Sequence, residues 1–208
     1  MATNYDKIAN VYDLIRRIVF GNSIVNAQVC LLKYVSADSY ILIVGGGTGW
    51  IIDEITAIHP KGLTIDYVES SAKMIALSEK RNYAANKVNF IKQPIEDYAT
   101  AEKYDVILTP FLFDNFSIDK IQIIVAKLDS YLKEDGVLLY ADFVYDENNG
   151  RLWQRIFLRI MYLFFRITCN IETQKVINMD RFFDLLYYKV FEESHYNNFI
   201  KSIAYRKK

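Results

Sequence analysis

The chain has 208 residues, 52% of them hydrophobic, which is enough to build one domain with a full core. Lysine plus arginine and aspartate plus glutamate number 25 each, so the formal net charge is zero and the composition excludes a generally basic nucleic-acid binder. Only two cysteines and two histidines occur, far apart in sequence, which predicts buried free thiols and no metal site.

The N-terminal leader is predicted to be helical. Between Tyr5 and Gly21 its apolar positions recur at helical spacing, and tyrosine–aspartate pairs stand at 5–6 and 12–13. Met1 is followed directly by polar residues rather than by the basic and apolar regions of a signal peptide. A cytoplasmic protein is therefore expected.

An apolar run over residues 41–44 breaks directly into a glycine-rich turn, after which the sequence resumes as a helix. Gly45, Gly47 and Gly49 allow backbone conformations closed to other residues and let a ligand lie against bare main chain. The unpaired N–H groups at the start of the helix would then face a negative group of that ligand. This pattern favours a nucleotide-cofactor site over a plain tight turn, provided that an acid follows in the next strand.

That acid is Glu69, which ends a predicted second strand over residues 63–68 and lies 24 positions after Gly45. In a doubly wound sheet the ends of the first two strands are neighbours, so a carboxylate there can accept hydrogen bonds from ribose hydroxyls. The alternative role is a solvated glutamate at a helix start.

The glycine spacing separates two cofactor classes. A dinucleotide fingerprint requires G-x-G-x-x-G, whose third glycine lets helix and strand pack closely. Here that position is Trp50 and the spacing is G-x-G-x-G. A nicotinamide enzyme is therefore the weaker alternative.

The remaining pattern alternates strands and helices, which predicts a parallel sheet with helices on both faces. Strands are predicted near 40–45, 63–68, 87–91, 104–109 and 136–143, and helices near 48–58, 71–83 and 117–132. Two strand-like runs between residues 190 and 205, split near Asn197 and Asn198, predict a hairpin.

At the glycine turn the chain resembles the class I S-adenosylmethionine-dependent methyltransferases. The first motif of that family is an acid, then any residue, then G-x-G-T-G. The resemblance covers most of the chain and continues at residues 69–74 (acid-x-S-x-x-M), 88–97, 104–109 and 132–139. The leader looks most like that of the ubiquinone and menaquinone C-methyltransferases. The implied fold is an α/β, Rossmann-like, doubly wound and mostly parallel seven-stranded sheet with an antiparallel last strand. N-terminal helices and a helical insertion before the last two strands complete it.

The resemblance also implies S-adenosylmethionine as the cofactor, with S-adenosylhomocysteine as its product. It places these residues at the cofactor: Gly45, Gly46, Gly47, Thr48, Gly49, Glu69, Ser70, Met74, Gln93, Ile95, Glu96 and Thr109. Three departures from the family pattern are Ile43 in place of the acid of the first strand, Pro94 in place of the aspartate of the adenine turn, and the bulky Trp50. Each lost charged contact would cost about 1 to 3 kcal/mol.

The same resemblance divides the single domain into an N-terminal helical lid (1–36), a cofactor-binding core (40–143), a helical insertion or cap (150–187) and a C-terminal hairpin (188–208). The expected reaction is methyl transfer to a small, apolar or aromatic acceptor. A base, where one is required, would be sought among Tyr12, Asp13, Asp114 and Asp142, each of which could equally be a surface or turn residue.

An unusual apolar segment, residues 151–166, carries arginines at 151, 155, 159 and 166 on one helical face. Its arginines argue against spanning a bilayer. It could pack on the sheet or on a second subunit, cover a lipophilic acceptor, or lie at a membrane surface with arginines at lipid phosphates. A non-catalytic module that uses this helix to bind a partner or a membrane is the rival function.

Overall fold

A computed structural model describes residues 5–145, 151–169, 171, 173 and 175–208. The strands of the described residues are β1 (Tyr40–Val44), β2 (Lys61–Glu69), β3 (Ala85–Lys92), β4 (Tyr104–Pro110), β5 (Leu132–Phe143), β6 (Tyr187–His195) and β7 (Ile200–Lys207). The α-helices are α1 (Ala9–Phe20), α2 (Ser23–Val29), α3 (Trp50–Ile58), α4 (Ala72–Ser78), α5 (Ile118–Tyr131), α6 (Leu152–Cys169) and α7 (Asp180–Phe183).

All seven strands belong to one sheet, in the order β3-β2-β1-β4-β5-β7-β6. Strands β1 to β5 pair in parallel, whereas β7 inserts antiparallel between β5 and β6. The predicted Rossmann-like sheet with an antiparallel last strand is therefore confirmed. Since the chain order reverses between β1 and β4, a crevice opens at their carboxyl ends, where open α/β sheets bind ligands.

The period of two in β1 explains why the sheet is covered on both faces. Leu42 and Val44 point into one apolar cluster, which α5 and α7 cover, while Ile41 and Ile43 point into another, which α3 covers. Strands buried on both sides read as continuous hydrophobic runs, as residues 41–44 do.

Element boundaries differ most from the prediction at two places. Strand β5 begins at Leu132 instead of residue 136, and its first residue pairs with Tyr104 across a register irregularity. Helix α4 ends at Ser78 rather than at residue 83, because the chain turns there and brings the Arg81 side chain back to the carbonyl of Thr48. The predicted hairpin is confirmed, with three left-handed residues at 196–198 forming its turn.

A third apolar cluster lies at the end of β5. It contains residues of α1, of α2, of α6 and of the turn between β6 and β7. Phe20 packs on Phe157 with ring centroids 5.5 Å apart, and Tyr5 packs on Phe165 at 5.8 Å. The leader and the arginine helix are therefore neighbours. Among the helices of the described residues, none combines the length and the hydropathy required to cross a bilayer.

Candidate cofactor site

The glycine turn after β1 depends on backbone conformations that favour glycine. Gly45, Gly47 and Gly49 have φ of 72°, 61° and 78°, all in the left-handed region. At Gly46 a Cβ atom would lie 2.5 Å from the Tyr67 ring. The Tyr67 hydroxyl donates to the carbonyl of Gly47 at 2.9 Å, so β2 fixes the shape of the turn.

Glu69 connects the end of β2 to this turn. Its carboxylate accepts from the backbone N–H of Gly47 at 3.2 Å and from that of Ser71 at 2.9 Å. Burial raises the pKa of Glu69 in spite of these donors, which oppose the shift. The carboxylate also lines the adjoining cleft, so it is placed to accept further hydrogen bonds from a ligand.

The cleft lies over the carboxyl ends of β1, β2 and β4 and encloses about 760 Å³, part of it open to solvent. Its walls combine the glycine turn, the end of β2, the leader and the segment after β4. The lining residues are Tyr5, Tyr12, Arg16, Ile24, Gln28, Gly45, Gly46, Gly47, Thr48, Trp50, Glu69, Ser70, Met74, Pro110, Phe111, Leu112, Asn115 and Phe116. Seven predicted cofactor residues and Tyr12 are thus brought together at one cleft.

The leader is tied across this cleft by polar contacts at both of its tyrosine–aspartate pairs. The Tyr5 hydroxyl donates to Asn115 Oδ1 at 2.5 Å, and the Asp6 carboxylate accepts from the Ser71 hydroxyl at 2.6 Å. Seven residues further on, Asp13 accepts from the Thr48 hydroxyl at 3.0 Å. The leader is therefore held to the glycine turn and to the start of α4.

Arg16 is a charged residue of the cleft that the sequence analysis did not place at the cofactor. Its side chain is only 13% exposed, and its buried Nε and Nη1 atoms donate no hydrogen bond; the Asp13 carboxylate lies 3.8 Å from Nε, beyond hydrogen-bond distance. The guanidinium stacks over the Trp50 ring, 5.4 Å from its centroid. A buried, incompletely paired guanidinium is costly unless a ligand supplies the acceptors. The only sequence feature that could have indicated this role is the presence of an arginine in the predicted helical leader.

Three predicted base candidates lie outside the lining of the cleft. Asp13 is used by Thr48 and by Arg81, whose Nη2 approaches it at 3.2 Å. Asp142 is buried and accepts from the backbone N–H groups of Phe113 and Phe143, so it organises the turn after β4. Asp114 accepts from the Asn115 amide in that turn. In this structure the three carboxylates bond to neighbouring protein groups and do not line the cleft, and their role as a base stays a prediction.

Asp142 makes stability depend on pH. Burial raises its pKa from 3.8 to about 7, and burial together with the Asp142 charge raises the pKa of Asp114. The folded state holds these protons at a pH where the unfolded chain has released them, so stability is greatest in acid and is lost as pH rises towards 7.

We therefore expect the free energy of unfolding to fall by roughly 2 to 4 kcal/mol between pH 5 and 8. Urea unfolding at both pH values measures the difference. Asp142→Asn should flatten the dependence, whereas the exposed Glu134→Gln should leave it unchanged. If the free energy of unfolding fell equally with pH in the wild type and in Asp142→Asn, this account would be contradicted.

Five predicted cofactor residues also lie outside the lining of the cleft. Gly49 packs on Ser78, where a Cβ atom would lie 2.5 Å from the Ser78 Cβ, so its role is helix packing. Thr109 is fully buried, with its hydroxyl 3.4 Å from the Leu139 carbonyl. In the turn after β3, the Ile95 side chain is buried in the core, Glu96 pairs with Lys120 at 3.3 Å, and Gln93 bonds through its backbone N–H to the Ile91 carbonyl.

His195 and Cys30 are far apart in the sequence, but the fold brings them together. Cys30 Sγ lies 3.8 Å from His195 Nε2, and Glu193 Oε1 lies 3.8 Å from His195 Nδ1. Cys30, Glu193 and His195 each offer one potential metal-ligand atom, and these three atoms lie within 4.8 Å of one another.

The arginine helix is confirmed as α6. Its described residues are outside the lining of the glycine-turn cleft. Arg155 and Arg159 instead line a separate cleft against the β6–β7 hairpin. Helix α6 was predicted to cover the acceptor entrance. In this structure Phe165 of α6 packs on Tyr5, and Tyr5 lines the cleft.

A family model described as "Methyltransferase domain" matches residues 42–138. The chain is 32% identical over 149 residues to a malonyl-[acyl-carrier protein] O-methyltransferase of Halalkalibacterium halodurans, covering 67% of this chain and 53% of the relative. It is 29% identical over 147 residues to the protein of the same name from Bacillus cereus, covering 68% and 49%. The chain spans about half the length of these curated relatives.

Solved structures similar to this one include a DhpI complex with S-adenosylhomocysteine, at a TM-score of 0.70 and 16% identity, covering 98% of this chain and 93% of that one. Another is a magnesium protoporphyrin IX methyltransferase from Synechocystis PCC 6803 with bound S-adenosylhomocysteine, at 0.68 and 12%, covering 98% of both chains. At these identities the likeness shows the fold.

Proposed function

Because the chain carries a class I S-adenosylmethionine-dependent methyltransferase domain, we propose that it methylates a carboxylate oxygen of an acyl group held by an acyl carrier protein. The family predicted from the glycine turn and Glu69 is confirmed, whereas the closer kinship with ubiquinone and menaquinone C-methyltransferases stays a prediction. Neither the nicotinamide enzyme nor the non-catalytic module is supported by the comparisons.

The cleft fits the cofactor. Bound there, S-adenosylmethionine supplies a methyl group already activated on a sulfonium sulfur. Glu69, at the end of β2, would accept from ribose hydroxyls, with the Gly45 to Gly47 turn lining the cleft beside it. We assign Nε and Nη1 of Arg16, which lack hydrogen-bond partners, to the methionine carboxylate, because the guanidinium stacks over Trp50 at the end of the glycine turn.

The choice of acceptor rests on the side chains that line the cleft. Its titratable side chains, among the described residues, are Tyr5, Tyr12, Arg16 and Glu69. Burial raises the pKa of both tyrosines well above 10, so they remain proton donors. Glu69 is committed to the N–H groups of Gly47 and Ser71. A site without a free base suits an acceptor that is already an anion at neutral pH, and a carboxylate is one.

The relatives point to the same acceptor class, since the two named above are malonyl-[acyl-carrier protein] O-methyltransferases. This replaces the expected apolar or aromatic acceptor as the first choice. The aromatic wall of Tyr12, Phe111 and Phe116 would then exclude water and hold the acyl group in line with the methyl group.

The proposal is tested by incubating the protein with methyl-labelled S-adenosylmethionine and either malonyl-acyl carrier protein, malonyl-coenzyme A or a simple phenol. We expect a methyl ester on the malonyl group, and a rate that is constant between pH 6.5 and 9, a range well above the pKa of a carboxylic acid. Methylation of the phenol, with a rate that rises with pH and no ester, would overturn the choice of acceptor.

The lid role of residues 1–36, the other subdomain boundaries, the cytoplasmic location, the homodimer and the membrane contact of the arginine helix stay predictions. The hydrogen bonds of Tyr5, Asp6 and Asp13 across the cleft support the lid. Closing it would exclude water from the methyl group and hold the acceptor in place.

A further inference from the structure

Helix α6 presents a row of aliphatic side chains to solvent. Leu152, Ile156, Ile160, Leu163 and Ile167 are between 50% and 72% exposed. At about 100° per residue these five positions fall within about 80° of the helix circumference. Single exposed aliphatic residues are ordinary, but a continuous row along an 18-residue helix marks an interaction surface.

The row lies opposite the face by which α6 packs on the protein. Leu158, Met161 and Tyr162 are buried in the cluster that α6 shares with α1 and the hairpin turn. The aliphatic row is therefore not the core-facing side of an amphipathic helix. It is a second apolar face, directed away from the protein.

Two different borders flank this face. On one side Arg151, Arg155, Arg159 and Arg166 are all exposed, and on the other Trp153 and Phe164 are about one-third exposed. The sequence of α6 contains no aspartate or glutamate. An aliphatic face between a purely basic border and an aromatic border is the arrangement of a helix that lies in a membrane interface.

Helix α1 also presents aliphatic side chains to solvent. It packs into the cluster shared with α6 and exposes Val11, Leu14 and Ile18 to the extent of 46%, 60% and 74%. Arg17, beside them, is exposed as well. Aliphatic and cationic side chains thus occur together on both helices.

We propose that the outer faces of α6 and α1 bind an anionic lipid membrane, with α6 lying flat in the interface and its arginines at lipid phosphates. At 1.5 Å per residue, α6 would lie along about 27 Å of the surface. A second copy of the chain is disfavoured as the occupant, because α6 has no carboxylate to neutralise the arginines of a symmetric partner, whereas anionic headgroups supply that charge.

The test is co-sedimentation of the full chain with vesicles of phosphatidylcholine, with and without phosphatidylglycerol. We expect on the order of tenfold more bound protein on anionic than on neutral vesicles at low salt, with much of the difference lost at high salt. Ile156→Asp/Ile160→Asp should abolish binding, and Arg155→Gln/Arg159→Gln should remove the preference for anionic lipid. Thermal unfolding verifies that each variant is folded, independently of cofactor or activity.

Matched controls come from other parts of the surface. Ile123, on α5, is 60% exposed, and Arg206, on β7, is exposed. Ile123→Asp and Arg206→Gln should therefore bind vesicles as the wild type does. A wild type that ignores anionic vesicles overturns the proposal, as does a folded Ile156→Asp/Ile160→Asp variant that still binds. A dimer that this variant disrupts, seen by light scattering without vesicle binding, overturns it in favour of a second copy.

Discussion

Glu69→Ala is expected to weaken S-adenosylhomocysteine binding by roughly 2 to 4 kcal/mol, about 30-fold to 1,000-fold in Kd. Two effects add. The variant loses a charged acceptor for the ribose hydroxyls, and the turn loses the carboxylate that holds the N–H of Gly47. Isothermal titration measures the sum. Glu69→Gln, which retains one acceptor oxygen, should fall between the variant and the wild type.

A thermodynamic cycle separates these two effects. Removing the ribose hydroxyls from the ligand should weaken binding to the wild type but scarcely affect binding to Glu69→Ala, because the partner is already absent. Glu96→Ala provides the matched control: this acid pairs with Lys120 away from the cleft, so its removal should change Kd less than about threefold. Equal losses for the two alanine variants would show that Glu69 has no direct contact with ribose.

Arg16→Gln is expected to weaken S-adenosylhomocysteine binding by about 2 to 3 kcal/mol, roughly 30-fold to 150-fold. The Nε and Nη1 atoms of Arg16 are buried without hydrogen-bond partners, so a ligand carboxylate would gain charge-assisted bonds there. 5′-Methylthioadenosine, which lacks the amino-acid part, should bind the variant and the wild type equally. Titration of both ligands against both proteins gives four comparable constants.

Arg17→Gln is the natural control, because Arg17 is the next residue on α1 and is exposed. Its affinity for both ligands should equal that of the wild type. If Arg16→Gln binds S-adenosylhomocysteine as tightly as the wild type does, Arg16 does not bind the methionine carboxylate. Its partner would then be the acyl carboxylate of the acceptor.

The sheet could be predicted from the sequence because its signals are local. The buried run at 41–44, the glycine turn and Glu69 are each encoded within a few residues, and their positions follow from the strand order. Helix α6 was equally readable from its period. Its outward aliphatic row was not, because the face on which a helix packs is decided by α1 and the hairpin turn.

The site was predicted well where the backbone forms it and poorly where side chains from distant segments meet. Thr109 is buried near the end of β4 and the Ile95 side chain is buried in the turn after β3, whereas the predicted contact of the Ile95 backbone with the cofactor stays a prediction. Arg16 reaches the cleft only because the leader folds back over Trp50. The Cys30–His195 contact joins residues 165 positions apart, which no local pattern can indicate.

If the leader closes over the cofactor as predicted, its contacts would limit the rate of turnover. Asp6 accepts from the Ser71 hydroxyl and from the Lys73 N–H at the start of α4, and Tyr5 and Asp13 are bonded to Asn115 and Thr48. Each of these three side chains would contribute about 1 kcal/mol to the closed state. Breaking their contacts together would therefore leave the cleft open in roughly one molecule in a hundred. With such a lid, the product cofactor would leave only after these bonds break, so their strength rather than its own affinity would set its residence time. Product escape, and with it inhibition by product, would be governed by residues that never touch the transferred methyl group.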